Sequence, residues 1–525
     1  MKDKDPKYNL MLIFALVIVL AFDIFFVYHK EGYHTIEILS YELSDSEFTP
    51  VRLTERLSDE GPVWMSSYEI TEHVAVSGNN PFVAIPAYLN SVSESDPPFY
   101  YMMLNVFSAV RAVFSYGTLS PWPGCVLNMF FMMCSMIVIS SFFRNVVGKK
   151  FLGPVTALFY GLSPAGIDTV LLIGMYGAAA FFGLAFAYLV LRRIADGRDF
   201  RKRNKKIIFV TVLGFLTSYH TCIFFFFLIL TSVIYLVSVK KTKNALYLIR
   251  TMIISAVLGV AAYPFVFGDI SRAVRGFSFA ESTLAGFADR VRVFTVMTAE
   301  RTGWSGGGAV MMLVFVLIAA AVAVLTKKMR FSGPALFVSV CGYILTESLI
   351  APGAEDRYLM PVFPFVMIIW IMGLGFIISY IAERFLKDPG FRKVIYAGVL
   401  FIWTVSCLCL VPVISPVYLC EGYSGQLGIS ENYSSYNAVI VYSGADFYRN
   451  VPELMNYDNC FLLREDEAGI YDERLASMNA VILIEGEGVD KDAVLRRLGN
   501  EYGFTSLTFL MEDGVFGDRV CLLSK

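Results

Sequence analysis

The stretch RRIADGRDFRKRNKKIIFVTVLGFLTSYHTCIFFFFLILTSVIYLVSV (Arg192–Val239) decides the fold class. Its first part, Arg192–Lys206, carries eight basic residues, and its second, Ile207–Val239, is an almost unbroken apolar run. About 20 apolar residues suffice for a helix to span a hydrocarbon core, so this run holds two spans. They turn at a polar corner, Thr217–Thr221. Polar backbone at such a depth is tolerated only where it is buried in protein or lines a cavity. Lys and Arg recur between apolar runs at Arg144–Lys150, Lys240–Arg250, Lys327–Arg330 and Arg384–Lys393. The positive-inside rule assigns these short loops to the cytoplasm, and the intervening acidic or mixed loops to the outer face.

Working outward with that parity predicts eleven transmembrane helices, near 10–28, 124–143, 151–165, 170–191, 207–219, 222–239, 251–267, 308–326, 332–350, 358–380 and 394–414. The whole chain agrees: of 525 residues, 56% are hydrophobic and only 17% charged, against about 25% charged in soluble chains. The apolar stretch within Met1–Tyr28 is too long for a signal peptide and lacks a small-residue cleavage site, so it reads as a retained first span. Four regions follow: the N-terminal tip and first span (1–28), a large first extracytoplasmic loop (29–123), the helical bundle (124–414) and an extracytoplasmic C-terminal domain (415–525). Within the loop, Phe99–Ser115 is apolar but would break the parity if it crossed, so it reads as an interfacial helix. In the last region Asn437–Ser443, Cys460–Leu463 and Ala480–Ile484 read as strands. Asp446–Asn456 and Asp490–Tyr502 read as helices, and Ser506–Leu523 as a hairpin, which together make a small α/β domain. It serves either as a lid presenting substrate or as a folded tail. The nine cysteines have no metal spacing. Cys420, Cys460 and Cys521 are free thiols or a disulfide source. The basic clusters lie between spans, which argues against nucleic acid as a partner.

Carboxylates concentrate close to membrane level. Glu37 follows the first span by a few residues, and Glu94 and Asp96 sit in SESDPPFYY (93–101 region), where Pro97–Pro98 fix an extended approach to a helix. A carboxylate there can accept a proton from a hydroxyl whose reaction partner is anchored in lipid; an acid before Pro-Pro is equally a helix cap. His220 sits at the outer corner of LTSYHT, and Arg357 opens the tenth span in AEDRYLMPVFP. Ionisable residues at such positions are functional candidates. A guanidinium fork suits a lipid phosphate.

Five elements in order resemble the GT-C superfamily of polyprenyl-phosphate-sugar-dependent membrane glycosyltransferases, in the branch of protein O-mannosyltransferases, over about residues 8 to 415. The family's early Asp-Glu pair, followed by Ser-Tyr, corresponds to Ile36-Glu37 with Ser40-Tyr41. Its Asp-x-His-Pro-Pro-x-Tyr-Tyr motif corresponds to Glu94-Ser95-Asp96-Pro97-Pro98-Phe99-Tyr100-Tyr101. Its Leu-Ser-Pro corner is Leu162-Ser163-Pro164, followed by Gly174-Met175-Tyr176 where an Arg-x-Tyr element is usual. Its Thr-His-Tyr turn becomes Thr217-Ser218-Tyr219 with His220 next, and its Arg-Tyr-x-x-Pro element is intact as Arg357–Pro361.

The resemblance implies an inverting transfer of a hexose or pentose from a polyprenyl-phosphate sugar to a hydroxyl of a glycan, lipid or protein, on the outer face of the membrane. The lack of a retention signal and of the extra domains of eukaryotic relatives points to a bacterial plasma membrane. By it, Glu37 is the general base. Glu94 and Asp96 orient the acceptor or hold Mg or Mn, for which carboxylates are suited. Arg357 and His220 neutralise the departing phosphate, and Tyr41, Tyr101, Tyr176 and Tyr358 contact substrate. Ile36, Asp96, Gly174 and Ser218 depart from the family pattern, which motivates a second reading, a catalytically silent relative that binds a lipid-linked glycan or partners an active enzyme. A lipid-linked sugar transporter or flippase is a third, although no internal repeat or broken mid-membrane helix supports it.

Overall fold

The computed structural model describes residues 6–46, 61–75, 84–94, 96–114, 117–201, 204–269, 286–302, 331–351, 353–385, 398, 415–443, 446–467 and 471–525. The chain is a helical bundle joined to one mixed sheet. After α1 (Pro6–Tyr28), the first loop contributes α2 (Thr35–Asp45) and α3 (Phe99–Ala112). The bundle continues with α4 (Trp122–Phe142), α5 (Tyr176–Ala195), α6 (Lys205–Thr217), α7 (Tyr219–Ser238) and α8 (Thr242–Ala262). Further along the chain lie α9 (Phe287–Arg301), α10 (Ser332–Ile350) and α11 (Phe363–Phe385).

Among the described residues seven helices, α1, α4, α5, α7, α8, α10 and α11, are long and apolar enough to cross a membrane. Two of the eleven expected spans, near 308–326 and 394–414, lie outside the described residues. Two others are apolar but short. Leu152–Leu162 has 11 residues and α6 has 13, about 16 and 20 Å at 1.5 Å per residue. The first is cut off by Ser163, whose extended backbone and hydroxyl, accepting from Gly166 N at 3.1 Å, start a separate helix over Pro164–Leu171. The polar corner after α6 works in the same way. Ser218 is extended, its hydroxyl accepts from His220 N at 3.3 Å, and α7 begins with His220 in its first turn.

The basic residues Arg192 and Arg193 close α5, and Lys240 and Lys241 follow α7. The other ends of these helices carry Tyr176, Tyr219 and His220. Basic clusters and candidate site residues therefore sit at opposite ends of the bundle.

Helix α3 matches the expected Phe99–Ser115 helix closely, with Tyr100, Tyr101 and Leu104 fully buried. The sheet runs β1-β3-β2-β4-β6-β5, from β1 (Val63–Ser66), β2 (Ala438–Tyr442), β3 (Asn459–Arg464), β4 (Ala480–Glu485), β5 (Ser506–Met511) and β6 (Arg519–Ser524). Strands β3, β2 and β4 are parallel, and β2 is buried along its whole length, as expected of a strand covered on both faces. The outer pairs are antiparallel. Strand β1 comes from the first loop and pairs with β3 from Val63↔Leu462 to Ser66↔Asn459. Trp64 stacks on Phe461 at 4.8 Å and donates to Asp472 at 3.2 Å. The first loop and the C-terminal region thus share one sheet. Cys420, Cys460 and Cys521 are buried free thiols.

Candidate active site

Two polar centres lie near the end of the bundle opposite the basic clusters. The first is built on the start of α2. His34 caps the helix: its Nδ1 accepts from Ile36 N at 3.3 Å, and the Glu37 carboxylate reaches back to His34 N at 2.6 Å. Glu37 also accepts from Lys30 Nζ at 3.1 Å and Ile173 N at 2.8 Å, and neither Lys30 nor Glu37 exposes its side chain. Burial works against the Lys30 charge, but Glu37, with Cys420 and Cys125, favours it and the ammonium pKa lies above its usual value; burial also raises the pKa of Glu37. Ile173 comes this close because Gly124, in the first turn of α4, has no side chain; a Cβ there would lie 2.3 Å from the Ile173 side chain. Tyr41 is equally enclosed. Its hydroxyl donates to Ser120 O at 2.6 Å and accepts from Gly124 N at 3.3 Å, tying α2 to the approach of α4.

The second centre is the more open one. Arg357 sits on the turn Asp356–Leu359, between α10 and α11. Its guanidinium meets both carboxylate oxygens of Glu355, at 2.8 and 2.9 Å, and lies 5.1 Å from the Tyr358 ring centroid. His220 also packs against Tyr358, with ring centroids 5.5 Å apart, and its Nδ1 meets Glu347 Oε1 at 2.7 Å. Asp96 is half-buried at the entry to α3 and accepts from Tyr101 at 2.8 Å. Asp96 is within electrostatic reach of Tyr176, Tyr219 and His220, as Arg357 is of Tyr176 and His220. Asp96, Tyr101, Tyr176, His220, Arg357 and Tyr358 therefore gather in one place. Glu94 ends a helix over Ala84–Glu94, and its side chain lies outside the described residues.

The turn that presents Arg357 is pinned on several sides. Tyr418 donates to Asp356 at 2.6 Å, Arg301 meets Asp356 at 3.0 Å and Asp168 at 3.1 Å, and Tyr343 donates to Tyr358 O at 2.7 Å. Tyr418 also links the two centres, since its ring stands edge-on to His34 at 5.7 Å and its carbonyl accepts from Lys30 at 2.5 Å. Burial, together with the charges of Arg357, Arg449 and Lys30, pushes His34 down to about 3, so it is neutral near pH 7. Its Nδ1 is an acceptor, which leaves the proton on Nε2. The C-terminal domain reaches the same margin through Arg449, which donates to Thr35 at 3.2 Å.

Several of these residues escaped the sequence reading. Glu347 carries a signal, a carboxylate inside the apolar run of α10, of the kind that marks function in membrane spans. His34 carries a weaker one, His-x-x-Glu at a helix start. Asp168, Arg301, Asp356 and Arg449 carry none, because only the fold brings them together. Among the described residues, no three His, Cys, Asp or Glu side chains gather closely enough to hold a metal.

No protein-family model and no curated protein matches the chain. Its structure is similar to a crystal structure of ArnT from Cupriavidus metallidurans in the apo state, with 97% of each chain covered, 9% identity and a TM-score of 0.45. It is likewise similar to the crystal structure of ArnT from Cupriavidus metallidurans bound to undecaprenyl phosphate, with 97% of each chain covered, 11% identity and a TM-score of 0.48.

Proposed function

We propose that the chain is a membrane glycosyltransferase that moves a sugar from a polyprenyl-phosphate donor to an acceptor hydroxyl on the extracytoplasmic face. The observation that carries this reading is the convergence of Arg357, His220, Tyr176 and the half-buried Asp96 at the ends of spans α5, α7 and α11. A cation and a carboxylate at the membrane boundary are what a transfer from a lipid phosphate needs. The positive-inside rule, applied to the basic clusters at the far ends of α5 and α7, favours the outer face.

In this mechanism the acceptor oxygen attacks the anomeric carbon while its proton passes to a carboxylate. The bond from that carbon to the phosphate oxygen breaks, its electron pair goes to the phosphate, and the sugar inverts. We assign the proton to Asp96, because Glu37 is fully enclosed by Lys30 and two backbone amides. Arg357, oriented by Glu355, neutralises the departing phosphate, and His220, held by Glu347, assists. Glu94 and Asp96 remain the residues that would hold a Mg or Mn ion if the reaction uses one.

An apolar groove of about 540 Å³ between α6, α7 and α8, lined by Thr211, Phe215, Cys222, Phe226, Ile253 and Ala256 among others, supports a lipid-linked donor. Cys222 lies two residues beyond His220 in α7, so the groove reaches the same end of the bundle as the polar centre, on another side of that helix. We assign it to the isoprenoid chain. Filling it with Ala256→Trp should raise KM for a long-chain donor roughly tenfold, the size of a steric loss in an apolar pocket, and leave kcat unchanged. KM for a donor of two isoprene units should stay at the wild-type value. Equal effects on both donors would remove the chain from the groove.

The reading itself is tested by transfer of radiolabelled sugar from a panel of polyprenyl-phosphate sugars by purified protein. Transfer that requires Arg357 supports it. Donor binding without transfer favours the silent relative, which the replacements at Ile36, Asp96, Gly174 and Ser218 motivate. Movement of the lipid-linked sugar across a proteoliposome membrane without transfer favours a transporter.

A further inference from the structure

The C-terminal domain contains a buried polar cluster that the transfer reaction does not use. Gln426 comes from the helix Tyr423–Asn432, Asn450 and Glu453 from the start of the short helix Val451–Leu454, and Asp518 from the turn before β6. All four are at most 2% exposed. Gln426 Nε2 donates to Glu453 Oε1 at 2.6 Å and to Asp518 Oδ2 at 3.2 Å. Asn450 Nδ2 donates to the same two oxygens, at 2.6 and 2.9 Å. Two nitrogens and two carboxylate oxygens thus alternate around a four-cornered ring.

A second observation is independent of those bonds. Gln426 Oε1 and Glu453 Oε2 are buried and have no hydrogen-bond partner among the described residues. Gln426 Oε1 lies against Gly514, where a Cβ would come within 2.9 Å of it. A carboxamide turned by half a rotation presents oxygen where nitrogen stood, at almost no change of shape. With both amides turned, the ring becomes four oxygens, two anionic and two neutral, around one point. Sides of 2.6 to 3.2 Å put the corners of a flat ring of this kind about 2 Å from its centre, the distance at which oxygen ligands hold Mg, and widening the ring would admit Ca, whose ligands stand at about 2.3–2.6 Å. Two carboxylates shut away from water are costly unless neutralised, and a hard divalent cation would neutralise them.

We propose that Gln426, Asn450, Glu453 and Asp518 form a structural site for a hard divalent cation, Ca²⁺ or Mg²⁺, in the C-terminal domain. The ion would fasten together the segment that follows the bundle, the turn bearing Arg449 beside Asn450, and the last hairpin. Because Arg449 reaches Thr35 at the start of α2, the ion would steady the margin of the candidate active site from the domain side. The inference does not rest on the glycosyl-transfer reading.

The test uses the full chain in nanodiscs, stripped with chelator and titrated separately with CaCl2 and MgCl2. Saturable thermal stabilisation at roughly 10⁻⁴ to 10⁻³ M is expected, the range of Ca²⁺ sites in extracellular modules. The ion acting at the lower concentration identifies the occupant. Asp518→Asn should weaken the response at least tenfold. In wild-type protein, Tb³⁺ luminescence sensitised by Tyr423, whose hydroxyl lies 3.4 Å from Glu453 Oε1, should be displaced by the same ion and drop several-fold in Tyr423→Phe. No stabilisation by either ion up to ~10 mM would overturn the proposal. So would an equal response in Asp518→Asn, or Tb³⁺ emission unaffected by Tyr423→Phe.

Discussion

Replacing Arg357 with alanine should reduce sugar transfer by about 10²- to 10³-fold in kcat, the loss that follows removal of one preorganised group facing a developing charge. The charge in question is the phosphate oxygen from which the sugar departs. Arg357 is well placed to meet it, since Glu355 holds both its Nε and Nη2 and the Tyr358 ring supports one face. Arg357→Lys retains the charge but loses the fork and the flat stacking surface, so it should fall between the two. The melting temperature should barely move in either variant, because Glu355 is 40% exposed and water can replace its partner. The decisive measurement is kcat at saturating donor beside donor affinity. A loss confined to affinity, with kcat intact, would make Arg357 an anchor for the ground-state lipid rather than a group acting on the leaving phosphate.

Which parts of this picture are readable from residues alone follows from the range of the forces involved. Spans are legible where an apolar run exceeds about 18 residues, as in α1, α7 and α11. They blur where a serine stops the helix inside the run, as Ser163 does after Leu152–Leu162. Strands β2, β3 and β4 stand out as apolar blocks between turn residues. Strand β1 does not, because VWMS is four residues long and is a strand only by virtue of its partner, nearly 400 positions away. The polar centre around Arg357 is half legible. Residues just outside spans can be located by charge and parity, as Asp96, His220 and Arg357 can. The ionic framework behind them cannot be found, since Arg301 meets Asp168 across 133 positions and Tyr418 meets Asp356 across 62. Sequence also places Glu37 near the bilayer surface, which is a statement about depth. Whether water or substrate can reach it depends on Lys30, on Ile173 and on the missing side chain of Gly124.

That enclosure separates two roles for the carboxylates. If Glu37 holds the frame, Glu37→Gln should cost about 3–5 kcal/mol of stability, because it leaves the Lys30 ammonium buried without its counter-charge. Transfer by the remaining folded protein should then stay near the wild-type rate. Lys30→Met in the Glu37→Gln background should recover most of the stability, since exchanging both members of a buried pair for uncharged groups is often neutral or better. Asp96→Asn should do the opposite. Asp96 is half-buried and one of its partners is the Tyr101 hydroxyl, which an asparagine oxygen still accepts. Its melting should therefore change little, while transfer should fall about 10²- to 10⁴-fold, the range for loss of a general base. The pair of thermal melts and the pair of rates decide between the assignments. Glu37→Gln that melts like wild type and loses transfer would make Glu37 the base, with Lys30 tuning it, and would require the turn between α1 and α2 to open when substrate binds. Asp96→Asn with full activity would take the base away from Asp96 and leave it to Glu37 or to Glu355, the exposed carboxylate beside Arg357 and Tyr176.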